Sequence, residues 1–209
     1  QGGLHADPEG LFRLMRQRLV VMVKEPRPGR VKTRLARGIG PVAAAWWMRH
    51  QVARLLRRIR DPRWEVRLAV SPDRALRSAV WPADLPRVAQ GGGDLGARMG
   101  RILSRRGDPI GSPTLIIGSD IPGVTRAHIA RAFRALASHD AVVGPAPDGG
   151  YWLVGIRRAP PAGMFDGVRW STDHALADTL ASIPSLRVAV TDTLSDVDDP
   201  GDLKIPADP

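Results

Sequence analysis

Two groups of side chains in this 209-residue sequence have the types and spacing for chemistry on phosphates. The first is a run of cations, Lys24, Arg27, Arg30, Lys32 and Arg34, in a loop that also holds Pro26, Pro28 and Gly29. These turn residues abruptly end the apolar run Leu19 to Val23, and Thr33 is placed to cap a short helix at Arg34-Leu35-Ala36. A buried strand that enters a Pro/Gly loop carrying five cations beside a helix start makes a place to hold phosphates. Only Lys24, Lys32 and Lys204 of the 31 basic residues are lysine, and two of these three lie in this loop. Lysine is a compact point charge suited to a phosphate oxygen. Lys24, Gly29, Lys32, Thr33 and Arg34 are therefore the candidates for binding the phosphorylated ligand. Gly29-Arg30-Val31-Lys32-Thr33-Arg34 is not a Walker A pattern.

The second group is acidic. Asp120 follows the apolar run Thr114 to Gly118, and the pair Asp196-x-Asp198 lies near the C-terminus. A divalent ion bridging phosphate oxygens needs hard oxygen ligands on one side and cations to share the remaining charge. The sequence has no cysteine, and His5, His50, His128, His139 and His174 are scattered, which argues against thiolate and zinc sites. Asp120, Asp196 and Asp198 are the metal candidates, for Mg²⁺ or Mn²⁺. Lys32 and Asp120 carry the catalytic expectation. The alternatives are a satisfied turn carboxylate at Asp120 and an Asx-turn cluster at Asp196 and Asp198.

Alternating strands and helices must position these groups. Pro41 to Arg60 reads as a helix with an apolar stripe and a solvated arginine face. Trp64 to Ser71 alternates as a strand, Asp73 to Val80 reads as a short helix, and Arg87 to Gln90 as a brief strand. Gly91-Gly92-Gly93 permits close backbone approach to a ligand before Asp94, the expected cap of a helix reaching about Arg106. Thr114 to Gly118 is a buried strand, Thr125 caps a helix to about Ser138, and Ala141 to Val143 and Tyr151 to Ile156 are further strands. Thr172 is placed to cap a helix to about Ala181, and Arg187 to Val190 is the last strand. This alternation predicts an α/β fold with helices on both faces of the sheet.

The formal charge of +10 invites a nucleic-acid reading, but its distribution opposes a simple one. Residues 1–139 hold 26 basic and 10 acidic residues, against 5 and 11 in residues 140–209. One Tyr and three Phe offer few rings for base stacking, so no specific nucleic-acid partner is expected. No apolar run reaches the ~18 residues of a membrane span. The expectation is a soluble cytoplasmic protein with no membrane insertion, able to form a homo-oligomer. Residues 1–17 read as an N-terminal extension, whose Gln1-Gly2 start is compatible with a protease-cleavage scar, and residues 18–209 as one domain.

Six motifs occur in a telling order: Lys24-x-Pro26-x-Pro28-Gly29-x-Val31-Lys32-Thr33-Arg34-Leu35, Leu95-Gly96-x-Arg98-Met99, Gly118-Ser119-Asp120-Ile121-Pro122, Gly144-Pro145-Ala146-x-Asp148-Gly149-Gly150-Tyr151, Trp170-Ser171-Thr172 and Asp196-Val197-Asp198-x-Pro200-x-Asp202-Leu203. In these the chain resembles bacterial glycosyltransferases of the arsenosugar-biosynthesis type, long carried as a domain of unknown function. That family resembles the nucleotide-diphospho-sugar transferase superfamily, of glycosyltransferase-A fold, which includes the molybdenum-cofactor and phospholactate guanylyltransferases. The resemblance implies a single-domain three-layer α/β/α sandwich with a mostly parallel mixed sheet. It implies that Lys24, Lys32 and Arg34 contact nucleotide phosphates, with Gly96 and Arg98 near the nucleotide. Asp120 stands where the superfamily keeps its metal-binding aspartate, and the segment from Asp196 to Leu203 is similar to the motif that completes the metal site. Asp199 and Gly201 depart from the usual Thr and Glu of that motif. Asp148, Gly149, Gly150, Tyr151, Trp170, Ser171 and Thr172 would line the side of a small-molecule acceptor.

Two reactions fit a nucleotide or nucleotide-sugar substrate. In glycosyl transfer an acceptor hydroxyl attacks the sugar carbon and a nucleoside diphosphate departs. In nucleotidyl transfer an acceptor phosphate attacks the α-phosphorus and pyrophosphate leaves, so cations must hold a triphosphate tail. The family resemblance favours the first and the cation density of residues 24–34 the second. A non-catalytic nucleotide-binding module is the third reading.

Overall fold

The computed structural model describes residues 17–104 and 112–204, so residues 1–16 of the expected extension and the expected helix end at Arg106 lie outside it. Strand β1 (Gln17–Lys24) is central and pairs in parallel with β2 (Trp64–Ser71) on one side and β4 (Thr114–Ile117) on the other. With β3 (Arg87–Ala89), β5 (Ala141–Pro145), β6 (Tyr151–Ile156) and β7 (Val188–Val190), they form a seven-stranded sheet of order β3-β2-β1-β4-β6-β5-β7. β6 runs antiparallel to both of its neighbours, and the other pairings are parallel.

Alternate side chains of β1 feed opposite layers, as the period of two requires. Leu19, Val21 and Val23 join the core formed with α2 (Pro41–Arg58) and α4 (Arg126–Ala135). Val20 joins the core formed with α3 (Leu95–Leu103) and α5 (Ala175–Ala181). Leu19, Val21, Leu68 and Leu115 have no exposed surface. Full burial of such a side chain is worth about 1.5–3 kcal/mol, which explains why the strands read so plainly as apolar runs. The fold is the expected three-layer α/β/α sandwich with a mostly parallel mixed sheet.

Several local expectations are corrected. Helix α1 (Ala36–Ile39) begins after Leu35 with no side-chain cap, so Thr33 lies in a turn and caps nothing. Likewise Thr172 does not cap α5, which starts at Ala175. Its hydroxyl donates to the Arg169 carbonyl at 2.7 Å and accepts from the His174 amide at 3.2 Å, closing a local turn instead. Arg58, expected in solvent, donates to the carbonyls of Pro122 and Val124 and ties α2 to the loop after β4. The segment after β2 is a 3₁₀ turn over Asp73–Arg77. Asp94 and Thr125 do cap their helices, Asp94 by accepting the Ala97 amide at 2.8 Å and Thr125 in a capping box with His128.

Candidate active site

The order of strands reverses between β1 and β4, and in open α/β sheets the crevice outside the carboxyl ends at such a point takes ligands. β1 ends at Lys24 and enters the basic loop, while β4 ends at Ile117 and leads to Asp120. β6, running antiparallel, begins at Tyr151 on the same edge. A cleft of about 930 Å³ opens there, a size suited to a small-molecule ligand.

The basic loop lines one flank of the cleft. Lys24, Arg30, Lys32, Thr33 and Arg34 face it, whereas Arg27 is drawn off by Glu25, its Nε lying 2.6 Å from the carboxylate. Local charge explains that difference, because Glu25 is two residues from Arg27 and holds it beside the strand end. With α1 only four residues long and uncapped, the positive character of this flank comes from side chains rather than from a helix terminus.

Lys32 lies deeper than the rest. Its backbone is left-handed (φ 47°), its carbonyl accepts the Ala36 amide at 2.8 Å, and its side chain is only 7% exposed. The ammonium donates to Asp120 Oδ2 at 2.6 Å and to Asp198 Oδ1 at 2.7 Å. Burial works against its charge, but the two carboxylates more than offset this and raise its pKa. Arg34 reaches the second oxygen of Asp198 at 3.4 Å. Lys32 thus lies on the carboxylates, a placement the local pattern of the loop did not reveal.

Asp120, Asp196 and Asp198 each present an oxygen within 4.8 Å of the others'. The Val197 amide donates to the Asp120 carbonyl at 3.1 Å, which docks the C-terminal motif against the end of β4. Asp202 accepts the amides of Asp198 and Asp199, each at 2.8 Å, and Asp199 accepts that of Gly201 at 2.7 Å. The departing residues Asp199 and Gly201 therefore close the turn themselves. Burial, and then the charges of Asp120 and Asp198, push the Asp196 carboxyl up to about 6, with Asp148 adding and Lys32 opposing. Three hard oxygens that repel one another suit a divalent cation such as Mg²⁺ or Mn²⁺.

The other flank is interlocked. Gly149 is left-handed (φ 82°), and a Cβ there would lie 2.1 Å from the Asp173 carbonyl oxygen, so only glycine allows this approach. Leu176 N donates to Gly149 O at 3.0 Å. These contacts bring Asp148, Gly150 and Tyr151 together with Trp170, Ser171 and Thr172 along the cleft wall. Tyr151 and Phe165 pack edge-on or tilted against Trp170, with ring centroids 6.4 and 6.0 Å away.

Of the residues singled out from sequence, Arg27, Gly29, Gly91 to Gly93, Gly96 and Gly149 lie outside the cleft lining. Gly29 shapes an exposed turn (φ 72°). Gly96 instead packs where a Cβ would meet Phe165 and Trp170 at 2.8 Å. Arg98 lines the cleft and donates to Gly93 O at 3.0 Å. The Gly91 to Gly93 connection is thereby tied down, with Arg101 donating to the carbonyls of Gln90 and Gly92. Gln90, Ser119 and Asp173 also line the cleft and were missed from sequence. Asp173 had a signal, since it directly follows the Trp170-Ser171-Thr172 motif.

A bacterial family described as "Uncharacterized protein conserved in bacteria (DUF2064)" matches residues 54–172. No curated protein matches the chain. Among solved structures, a Desulfovibrio desulfuricans G20 protein provisionally designated a nucleotide-diphospho-sugar transferase is 29% identical. It matches with a TM-score of 0.78 over 88% of this chain and 82% of its own. The 4-diphosphocytidyl-2C-methyl-D-erythritol synthase of Anaerococcus prevotii is 10% identical, with a TM-score of 0.57 over 92% and 95% of the two chains. The Rv0371c protein of Mycobacterium tuberculosis H37Rv, solved with manganese, is 16% identical, with a TM-score of 0.53 over 91% and 98%. The last two likenesses concern the fold. Among the described residues no helix is long and apolar enough to cross a membrane.

Proposed function

The chain belongs to this bacterial family (DUF2064), and on that premise we propose that it is a divalent-metal-dependent glycosyltransferase using a nucleotide-diphospho-sugar donor. The observation that carries the reading is the meeting of Asp120, Asp196 and Asp198 with Lys32 at the strand-order reversal. The Desulfovibrio likeness supports the donor class. Asp120, Asp196 and Asp198 hold Mg²⁺ or Mn²⁺, which, when bound, neutralises charge on the departing diphosphate. Lys24, Arg30 and Arg34 contact the phosphates, and Lys32 and Asp120 carry the catalytic role. Arg98 lies beside the nucleotide, while Gly29, Thr33 and Gly96 shape its surroundings. Asp148, Gly150, Tyr151, Trp170, Ser171 and Thr172 receive a small-molecule acceptor, with Gly149 fixing their approach. The arsenosugar-type assignment, resting on the six motifs, belongs to the same reading.

A second reading, nucleotidyl transfer, is supported by the number of cations on one flank, which suits a triphosphate tail. The test is to supply nucleotide sugars and, separately, nucleoside triphosphates with Mg²⁺ or Mn²⁺ and to analyse the products. Metal-dependent release of nucleoside diphosphate from a nucleotide sugar is expected. Pyrophosphate release from a triphosphate, with no turnover of nucleotide sugars, would replace the first reading by the second.

A further inference from the structure

The oxygens gathered for a metal ion in this site already hold one cation. The Lys32 ammonium already bridges Asp120 and Asp198 at 2.6 and 2.7 Å, and those two residues supply two of the three oxygens gathered for a metal ion. The lysine is held in that position, with its side chain 7% exposed and its left-handed backbone anchored through the Lys32 carbonyl. An ion bound to these oxygens at the ~2.1 Å of magnesium would lie within a few ångströms of the ammonium. At that range a divalent and a monovalent cation repel strongly. Both can be accommodated only if the ammonium finds other oxygens, and the adjoining flank, where Lys24, Arg30 and Arg34 face the cleft, is where phosphate oxygens would supply them.

We propose that Lys32 is a displaceable internal counter-ion that makes the site selective for a metal–nucleotide complex over either component alone. In the empty site Lys32 neutralises the carboxylates. On binding, the metal takes its place and the ammonium transfers to the phosphates. Free metal must therefore displace Lys32 with nothing to receive it, and a metal-free nucleotide must draw Lys32 away from carboxylates that then repel one another. Linkage makes the coupling reciprocal, so that each component tightens the other. The inference rests on the proposed metal site but adds a role that a lysine fixed on the phosphates would not have.

The experiment has two arms, both read without turnover. In the first, Mn²⁺ alone is titrated by electron paramagnetic resonance into the wild type, Lys32→Met and Asp196→Asn. Lys32→Met should bind Mn²⁺ about tenfold more tightly than the wild type or better, and Asp196→Asn should lose binding. In the second, the wild type is acylated at lysine and the modified peptides are mapped, which three lysines make simple. Reactivity at Lys32 should rise when Mn²⁺ is added alone and fall again when a nucleoside diphosphate joins it, with an unrelated lysine peptide added to the same reaction as the reference, because Lys24 itself faces the cleft. This arm needs no variant, and it separates displacement from a simple loss of repulsion in Lys32→Met. Mn²⁺ binding that depends on Asp196 but leaves Lys32 acylation unchanged would overturn the counter-ion role and leave the metal site standing. No Mn²⁺ binding to either the wild type or Lys32→Met would remove the metal site, and the inference with it.

Discussion

The two flanks of the cleft are held by different forces. The basic loop is fixed at its centre by side-chain charge, with Lys32 reaching across 88 and 166 residues of sequence to Asp120 and Asp198. The opposite flank is fixed by backbone, with Gly149 pressed against Asp173 and bonded to Leu176, and with aromatic packing around Trp170. Charge contacts can be exchanged for a ligand's charges at little structural expense, whereas a backbone contact that tolerates only glycine cannot be remade. On the proposed function, the flank that would meet phosphates and metal is thus the adaptable one, and the flank proposed for the acceptor is preformed. Substitutions on the first should change metal and nucleotide binding and spare the fold, and those at the backbone contacts of the second should weaken the fold and spare metal and nucleotide binding.

The largest effect is expected at the carboxylates. Asp120→Asn and Asp196→Asn should each lower metal-dependent nucleotide binding by about a hundredfold, the loss of one charged ligand group at roughly 3 kcal/mol. Isothermal titration with Mn²⁺ and a nucleotide checks this. Their metal-free stabilities should differ in sign. Asp120 is bonded to Lys32, so its neutralisation removes a partner. Asp196 sits where burial and its neighbours disfavour its charge, so Asp196→Asn should gain about 1 kcal/mol at neutral pH, allowing for partial solvent screening. A hundredfold loss of binding together with a large fall in melting temperature for both variants would break the contrast between the flanks.

Next in size is Gly149→Ala. The φ of 82° and the close Asp173 carbonyl impose both backbone strain and a clash, so the variant should lose about 2–4 kcal/mol of stability by urea denaturation. Mn²⁺ affinity of the folded fraction should stay unchanged. If the Gly149 variant were as stable as the wild type, the opposite flank would not be backbone-locked.

These contrasts also show what the sequence could reveal. Strands β2 and β6 occupy the residues expected of them because their ends are written locally, by Pro72 after Ser71 and by Gly149-Gly150 before Tyr151. The three aspartates could be grouped because strand ends converge on one edge of such a sheet. Thr172 misled because a threonine hydroxyl serves a tight turn as readily as a helix cap, and Thr33 misled because the helix starts later, after Leu35, with no side-chain cap. The position of Lys32 was not legible, since its partners are distant in sequence and local composition cannot say whether a cation meets a ligand's charge or the protein's own. Arg27 fails for the opposite reason, since its partner Glu25 was in plain view two residues away but a count of cations ignored it.

A moderate effect on the charge-held flank is expected from Arg34→Ala. The side chain is largely exposed and touches Asp198 only at 3.4 Å, so the fold should be unaffected. Loss of one charge-assisted contact should weaken nucleotide binding about tenfold, and the deficit should shrink as salt rises. A variant that binds nucleotide like the wild type at low salt would take Arg34 out of the phosphate contacts and narrow the adaptable flank to Lys24, Arg30 and Lys32.

The smallest effect tests whether charge matters at all on the backbone-held flank. Arg169 hydrogen-bonds Asp178 through its guanidinium at 2.8 and 2.9 Å and through its own amide at 3.0 Å, linking the Trp170 segment to α5. The side-chain bonds from Arg169, then the backbone bond, hold the Asp178 carboxyl at about 2, below its ordinary 3.8. A depressed carboxylate stabilises the folded state above the unfolded pKa, and that contribution fades as pH falls from near 4 through about 2. Arg169→Gln leaves the amide bond in place and removes the charge. Its melting temperature should lie slightly below that of the wild type at neutral pH, and the two should converge at the acid end of that window, with nucleotide and Mn²⁺ affinity unchanged. If Arg169→Gln instead destabilised the protein as much as Gly149→Ala, the Trp170 segment would be held by charge as well, and the division of labour between the two flanks would fail.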